Sequence, residues 1–412
     1  MKWIMIAKIS SIMSKKTSRK KSPLRFCNTF ISNQFVLFFG YFFFIQTINA
    51  QNTMLYNPFH IAIDPMERIL LVNFEKDPDS LYISFEPQVF DDNINGKGHL
   101  VVGWRIDGKV DVYHETGLTL DHNKYDIAGK GLANMLEREM PIAFSEINDF
   151  GLQAYYEFQD IHNRKVVIRV TEENPKKRKP FGLLAPMGDA AESPSAMPLV
   201  LLHDFYFVRK KNSQIQITID GKQHQFDDLP MPLPIDGTKM TFTRYSPEPL
   251  IATFNPAFEG EIPVVNIETG VQQHSQGNLD YFLAWDGNNP FIKRITFNND
   301  THPVELRFTT PFPNIHSLGN NTRLKGQFEI EAHTTTGRII GHYIIEKSDG
   351  FITIVMIPSK GWKPRPTKFS LRLLYNLGKT FKKWPTTYKW TANIQQNAHG
   401  SYFMKSAWVR IK

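Results

Sequence analysis

What most restricts this chain is a succession of short strand-like segments, repeated almost without a break from residue 68 to the C-terminus. Alternating or β-branched stretches occur at RILLVNF (68–74), SLYISFEP (80–87), HLVVGWRI (99–106), KVDVYHE (109–115) and KVVIRVT (165–171). LLHDFYFVR (201–209), QIQITID (214–220), KMTFTRY (239–245) and LIATFN (250–255) continue the series, and the last third adds RIIGHYII, FITIVMI, YKWTANI and SAWVRI. Side chains alternate across a strand, so such segments bury at least one face, and the intervening Gly, Pro, Asn and Asp supply turns. The expectation is an all-β chain of antiparallel barrels or sandwiches with one or two short helices. One helix is expected at 127–139, where Leu132, Met135 and Leu136 would share a face, and a weaker one at 370–381.

The chain of 412 residues has room for two domains. The low-pattern stretch GVQQHSQGN (270–278) places a boundary, giving a larger β domain over 51–275 and a second over 276–412. Residues 172–198 are Pro-rich, charged and without period, and read as a long loop or lid.

Charge and cysteine point to compartment. The net charge is +8, and residues 1–50 hold eight Lys or Arg and no Asp or Glu, so the remainder is balanced and gives no ground for a nucleic-acid partner. That basic stretch precedes the apolar run FVLFFGYFFFI (35–45) and then QTINA, the plan of a secretory signal ending near Ala50. The run of eleven residues is short of the roughly 20 that span a bilayer. Export to the periplasm, envelope or medium is expected, with an uncleaved membrane anchor as the alternative and Met1 or Met13 as the start. The single cysteine, Cys27, lies in this leader, which excludes a thiol nucleophile, a disulfide framework and a Cys-based zinc site from the rest. Residues 350–412 carry twelve basic and no acidic residues, fit to meet an anionic membrane surface or, within the molecule, the acidic remainder.

DDNING (91–96) resembles half a calcium loop, but the twelfth position, where such a loop needs a bidentate carboxylate, is Val102. A plain turn is the better reading, and no metal or cofactor is expected. Asp107-Gly108 signals a two-residue hairpin. That register would pair Trp104 with Asp111, Val102 with Tyr113 and Leu100 with Glu115, setting carboxylates and a tyrosine on the tryptophan's face. Such a wall suits a ligand-holding barrel lumen or a solvated sheet edge.

HExxH, GxSxG and P-loop patterns are absent, and GKG at 129–131 lacks the third glycine of a dinucleotide fingerprint. In LLHDFYFVR, Asp204 lies among apolar residues and needs a partner or a raised pKa. Arg244 is the candidate ion-pair partner; Asp204 with Tyr245 is the candidate acid/base pair. Trp104, Asp111, Tyr113, His203 and Arg244 are candidate ligand contacts, and Glu115 a further candidate acid. Trp362, Trp384, Trp390 and Trp408 read as core, or as an aromatic platform for sugars or isoprenoids.

The all-β pattern together with PFPNI (311–315), RIIGHYIIE (338–346) and the late GW…WP…YKW…SAW series resembles the lipocalin-like double-barrel (calycin) family that includes carotenoid hydratases. The resemblance falls mainly on residues 280–412. It implies two lipocalin-like barrels, an elongated apolar substrate and a lumen carboxylate, with Asp204 and Glu115 the first candidates on chemical grounds. Three functions compete: an exported binder of a small hydrophobic, lipid or isoprenoid-like molecule; a hydratase or cyclase using a carboxylic acid; and a glycan-binding or glycan-cleaving envelope protein.

Overall fold

A computed structural model describes residues 52–186, 194–229, 239–299, 302–332, 334–377, 381 and 383–411. The leader reading and part of the 172–198 loop fall outside these. The described chain is all-β, with one short α-helix at Phe369–Leu377, overlapping the weaker of the two expected helical segments.

Three larger sheets and a two-stranded pair, Asn52–Tyr56 with Val264–Glu268, build it. One runs in the order Ile61–Asp64, Glu248–Phe254, Met197–Arg209, Met240–Ser246, Arg68–Asn73, Tyr82–Asp92, Gly96–Arg105, Val110–His114 and Leu132–Glu137. Phe181–Ala185, a strand within the segment expected to be a loop, adds to Met197–Arg209. A second sheet of five strands, from Lys222–His224 through Lys165–Glu172 to Ile142–Asn148, shares a core with part of the first. Phe85, Val101 and Tyr113 meet Tyr156, Phe158, Ile168 and Ile217 there. The third is an antiparallel meander from Gln273–Gln276 to Tyr402–Arg410, curled into a half-barrel. Its far edge takes Phe258–Glu261, so strands from both sides of residue 276 pair in one sheet.

The meander's alternation explains its core. Tyr388, Trp390, Ala392 and Ile394 are buried on one face, and Met404, Ser406 and Trp408 on the neighbouring strand. All of these but Ser406 join Phe59, Phe254, Phe312 and Tyr343 in a cluster that runs from Leu55 to Trp408.

Two local expectations are corrected. The segment 127–139 is not a helix. Gly129 and Gly131 take φ of +56° and +109°, which breaks a right-handed helix, and Leu132–Glu137 pairs in parallel with the open edge of Val110–His114. The hairpin is also one residue out of the expected register. Its loop has three residues, Ile106-Asp107-Gly108, closed by Arg105 N–H on Lys109 O at 2.9 Å, with Gly108 at φ +87°. Trp104 therefore pairs with Val110, Val102 with Val112 and Leu100 with His114. A one-residue slip turns every side chain of a strand to the other face. Asp111 and Tyr113 consequently lie on the face opposite Trp104.

Gly341 tests the tightness of the meander. It sits at a strand irregularity between Ile340 and His342, where an added Cβ would lie 2.4 Å from both Ile357 O and the Phe328 ring. Gly341→Ala is expected to cost about 2 kcal/mol or more, measured as a lowered urea midpoint; an unchanged midpoint would contradict this packing.

Candidate functional site

Strand Tyr82–Asp92 carries a polar pair into apolar surroundings. Glu86 is opposite Val102 and Gln88 opposite Leu100, so both project on the face that holds Trp104. Above them the chain from His122 to Ala128 folds back, bringing Tyr125, Ile127 and Ala128. Ala62, Ile63, Val200, Ile251 and Ala252 close the other side. The result is a mostly apolar, partly open pocket of about 120 Å³ with Glu86, Gln88 and Trp104 in its wall.

Glu86 is 3% exposed. Its carboxyl accepts from Gln88 Nε2 at 2.8 Å and from the Trp104 indole N–H at 3.1 Å. Burial pushes its pKa up to about 7, against the opposing effect of those two donors and of the Arg244 charge. Gln88 Oε1 is buried without a hydrogen-bond partner. The pocket thus offers a proton that titrates near neutrality and an unmatched acceptor.

The DDNING turn builds the rim. Asp92 accepts from the backbone N–H of Ile94 and Asn95. Asn95 is buried, donates to Asp64 at 2.9 Å and accepts from Lys124 Nζ at 3.2 Å, while Lys124 also meets Asp64 at 2.5 Å. Asp91 turns to Lys97 instead. The calcium-like residues therefore diverge and act as a turn that holds the pocket edge.

The other sequence candidates lie apart. Tyr113 donates to the Tyr82 oxygen, and Tyr82 donates to Asp111 at 2.9 Å. Asp111 is fully buried and also accepts from Asn134 at 2.7 Å and Arg105 at 3.4 Å. This network belongs to the sandwich core, and burial pushes the Tyr113 hydroxyl well up. Glu115 accepts the His99 backbone N–H at 2.6 Å. Asp204 pairs with Arg178 rather than with Arg244, which donates to Asn73 and stacks on Phe242 at 4.2 Å. The Asp204 carboxyl is raised, chiefly by burial, with Arg178 opposing. Tyr245 donates to Glu172 at 3.2 Å, and Glu172 pairs with Arg209, so Asp204 and Tyr245 are committed to different partners. His203 is buried with its ring 3.9 Å from that of His302. Of the predicted residues, Trp104 alone lines this pocket.

Trp362, Trp384 and Trp390 are each at most 5% exposed, so no sugar-stacking face is offered by them. In the basic C-terminal segment, Arg365 meets Glu331 at 2.7 Å and Lys405 meets Glu259 at 2.6 Å, pairing part of it with the acidic remainder. No helix among the described residues is long and apolar enough to cross a membrane. Comparison with protein-family models, curated proteins and solved structures finds no match in any of the three.

Glu86 gives a pH test. A raised carboxyl pKa means that the folded state holds the proton more tightly than the unfolded chain. Its contribution is full below about 4.5 and is lost as pH rises through about 7. Between about pH 4 and pH 8, Glu86→Gln is expected to gain about 3 kcal/mol relative to the parent, read from urea unfolding at both pH values. A constant difference would refute it. At Asp111 the expected outcome is different: Asp111→Ala removes the acceptor shared by Tyr82, Asn134 and Arg105, leaving Tyr82 with Tyr113 and Arg105 with Asp107 at 3.1 Å, and costs about 2–3 kcal/mol, measured in the same assay; an effect below about 1 kcal/mol would exclude the buried network.

Proposed function

We propose that this chain is an exported, lipocalin-like protein that binds a small hydrophobic molecule, seating a ring or branched end of it beside Trp104. The observation that carries the reading is an apolar pocket whose wall holds a buried carboxyl and an unmatched amide oxygen. Buried polar groups normally find partners, and an exception facing a pocket is what a ligand's polar end would complete. An apolar cavity of roughly 150 Å³ accepts benzene, so 120 Å³ suits a compact end group, with any longer body leaving through the open side. The curled antiparallel meander and the basic-then-apolar leader support the barrel-family and export parts of the reading.

Acid catalysis is the second reading, favoured by Glu86. A neutral carboxyl in an apolar pocket can protonate an alkene carbon; water then adds to the cation and its surplus proton returns to the carboxylate. The binder reading stands first because it asks less of the site: a donor on the polar end of an occupant would match Gln88 Oε1, with no chemical step required.

The test is mass spectrometry of organic extracts from the full chain purified without detergent, together with toluene titration. A co-purifying hydrophobic compound, displaced by toluene, is expected. A neutral probe that shuts water from Glu86 raises its pKa further, so affinity should fall as pH rises through 7, by up to about tenfold per unit. Glu86→Gln should abolish that slope. Clean extracts and no toluene binding would overturn the proposal.

A further inference from the structure

A second pocket, remote in sequence from Glu86, lies where the strand ending at Phe254 meets the meander. It is about 350 Å³, within the range of about 300–1,000 Å³ usual for small-molecule sites. Phe59, Pro256, Val265, Leu279 and Tyr281 are among its lining residues, and no Lys, Arg, Asp or Glu lines it.

Three buried polar side chains in this wall have an atom without a hydrogen-bond partner: Asn255 Nδ2, Trp390 Nε1 and Ser406 Oγ. They are 2%, 0% and 5% exposed. Two of them are donors whose identity is fixed. Asn255 Oδ1 accepts the His60 backbone N–H at 2.9 Å, so turning the amide over would set donor against donor and its NH₂ must be the unmatched end. Asn255 is itself pinned at φ +46°, with its N–H on His60 O at 2.8 Å. An indole nitrogen only donates. Trp390 comes from the strand next to the one that carries Ser406, on their shared inward face. The hydroxyl of Ser406 adapts to either role. Asn57, also in the wall, is matched: it donates to Tyr281 at 3.1 Å and accepts from Phe59 N–H, while the exposed His60 and Gln276 side chains lie at the rim.

From these unmatched donors on residues that line one mostly apolar pocket without Lys, Arg, Asp or Glu, we propose a second binding site, selective for a neutral, mainly apolar molecule that presents an acceptor oxygen such as a carbonyl. An ionised group would be buried without a counter-charge, which the site disfavours. A plain hydrocarbon would leave the donors unmatched and forfeit their desolvation cost.

The experiment uses the full chain with camphor and with bornane, the same skeleton lacking the carbonyl. Indole N–H signals are followed by ¹⁵N NMR, with Trp390→Phe identifying its resonance. Camphor is expected to shift the Trp390 signal and to bind about tenfold tighter than bornane. Asn255→Asp keeps the oxygen used by His60 and removes the amide donor, and Ser406→Ala leaves both donors in place. The first should cut the camphor preference severalfold; the second should retain most of it. Should Trp390→Phe not fold, these two variants and the displaced indole signal still decide. Equal affinity for the two probes, no shift up to the solubility limit, or an unaltered preference in Asn255→Asp would each overturn the proposal. So would a high-resolution structure in which ordered waters satisfy all three atoms and persist in the presence of camphor.

Discussion

The pairing of Tyr82–Asp92 with Gly96–Arg105 is the constraint on which the candidate site depends. Its register sets Glu86 and Gln88 behind Val102 and Leu100, and both faces of the pair are covered by other parts of the chain. A strand buried on two sides has no water face on which to place its polar residues. Each must find an internal partner or remain unmatched. On the sandwich side, Asp111 solves this with Tyr82, Asn134 and Arg105. On the pocket side, Glu86 accepts from Gln88 and Trp104, burial raises its proton affinity, and Gln88 Oε1 is left unmatched. The same pleat thus separates a closed polar network from an open one.

The strand Met197–Arg209 shows the same economy at a bend. Its first half pairs with Glu248–Phe254 up to His203, and its second half pairs with Met240–Ser246 from Tyr206 onward. Between them Asp204 takes φ +50°, a conformation that Asp tolerates better than most residues. The bend turns its carboxylate to Arg178, and further along the buried Glu172 meets Arg209, whose remaining N–H groups reach the carbonyls of Lys176 and Phe150. These carboxylates hold the connection between sheets together; a catalytic pairing with Tyr245 is not what their partners suit.

Fold class was legible because period-two alternation is a local property: Tyr388, Trp390, Ala392 and Ile394 announce their face in sequence. Pairing register was not, because a two-residue and a three-residue loop both fit Ile106-Asp107-Gly108, and the difference of one residue moved Asp111 and Tyr113 across the sheet. The helical spacing at 127–139 misled for a related reason. A neighbouring open strand edge supplies hydrogen bonds that local propensity cannot anticipate. Glu86 and Gln88 left a signal that only a two-sided view detects: polar residues two apart in FEPQVF, where Phe85, Val89 and Phe90 leave no exposed face.

The two pockets differ in what a guest must bring. At Glu86 the recognising group titrates, so the state of the wall changes with pH and with the water that a guest excludes. At Asn255 and Trp390 the donors are fixed by a backbone N–H and by the indole itself, and neither group titrates in the neutral range. A titrating wall suits capture followed by release. A fixed wall suits selection by shape and by acceptor geometry. The strand of Glu86 and Gln88 is covered on both sides, whereas Trp390 and Ser406 come from strands whose other face is largely open; in each pocket, lining residues carry polar atoms that the fold itself does not match.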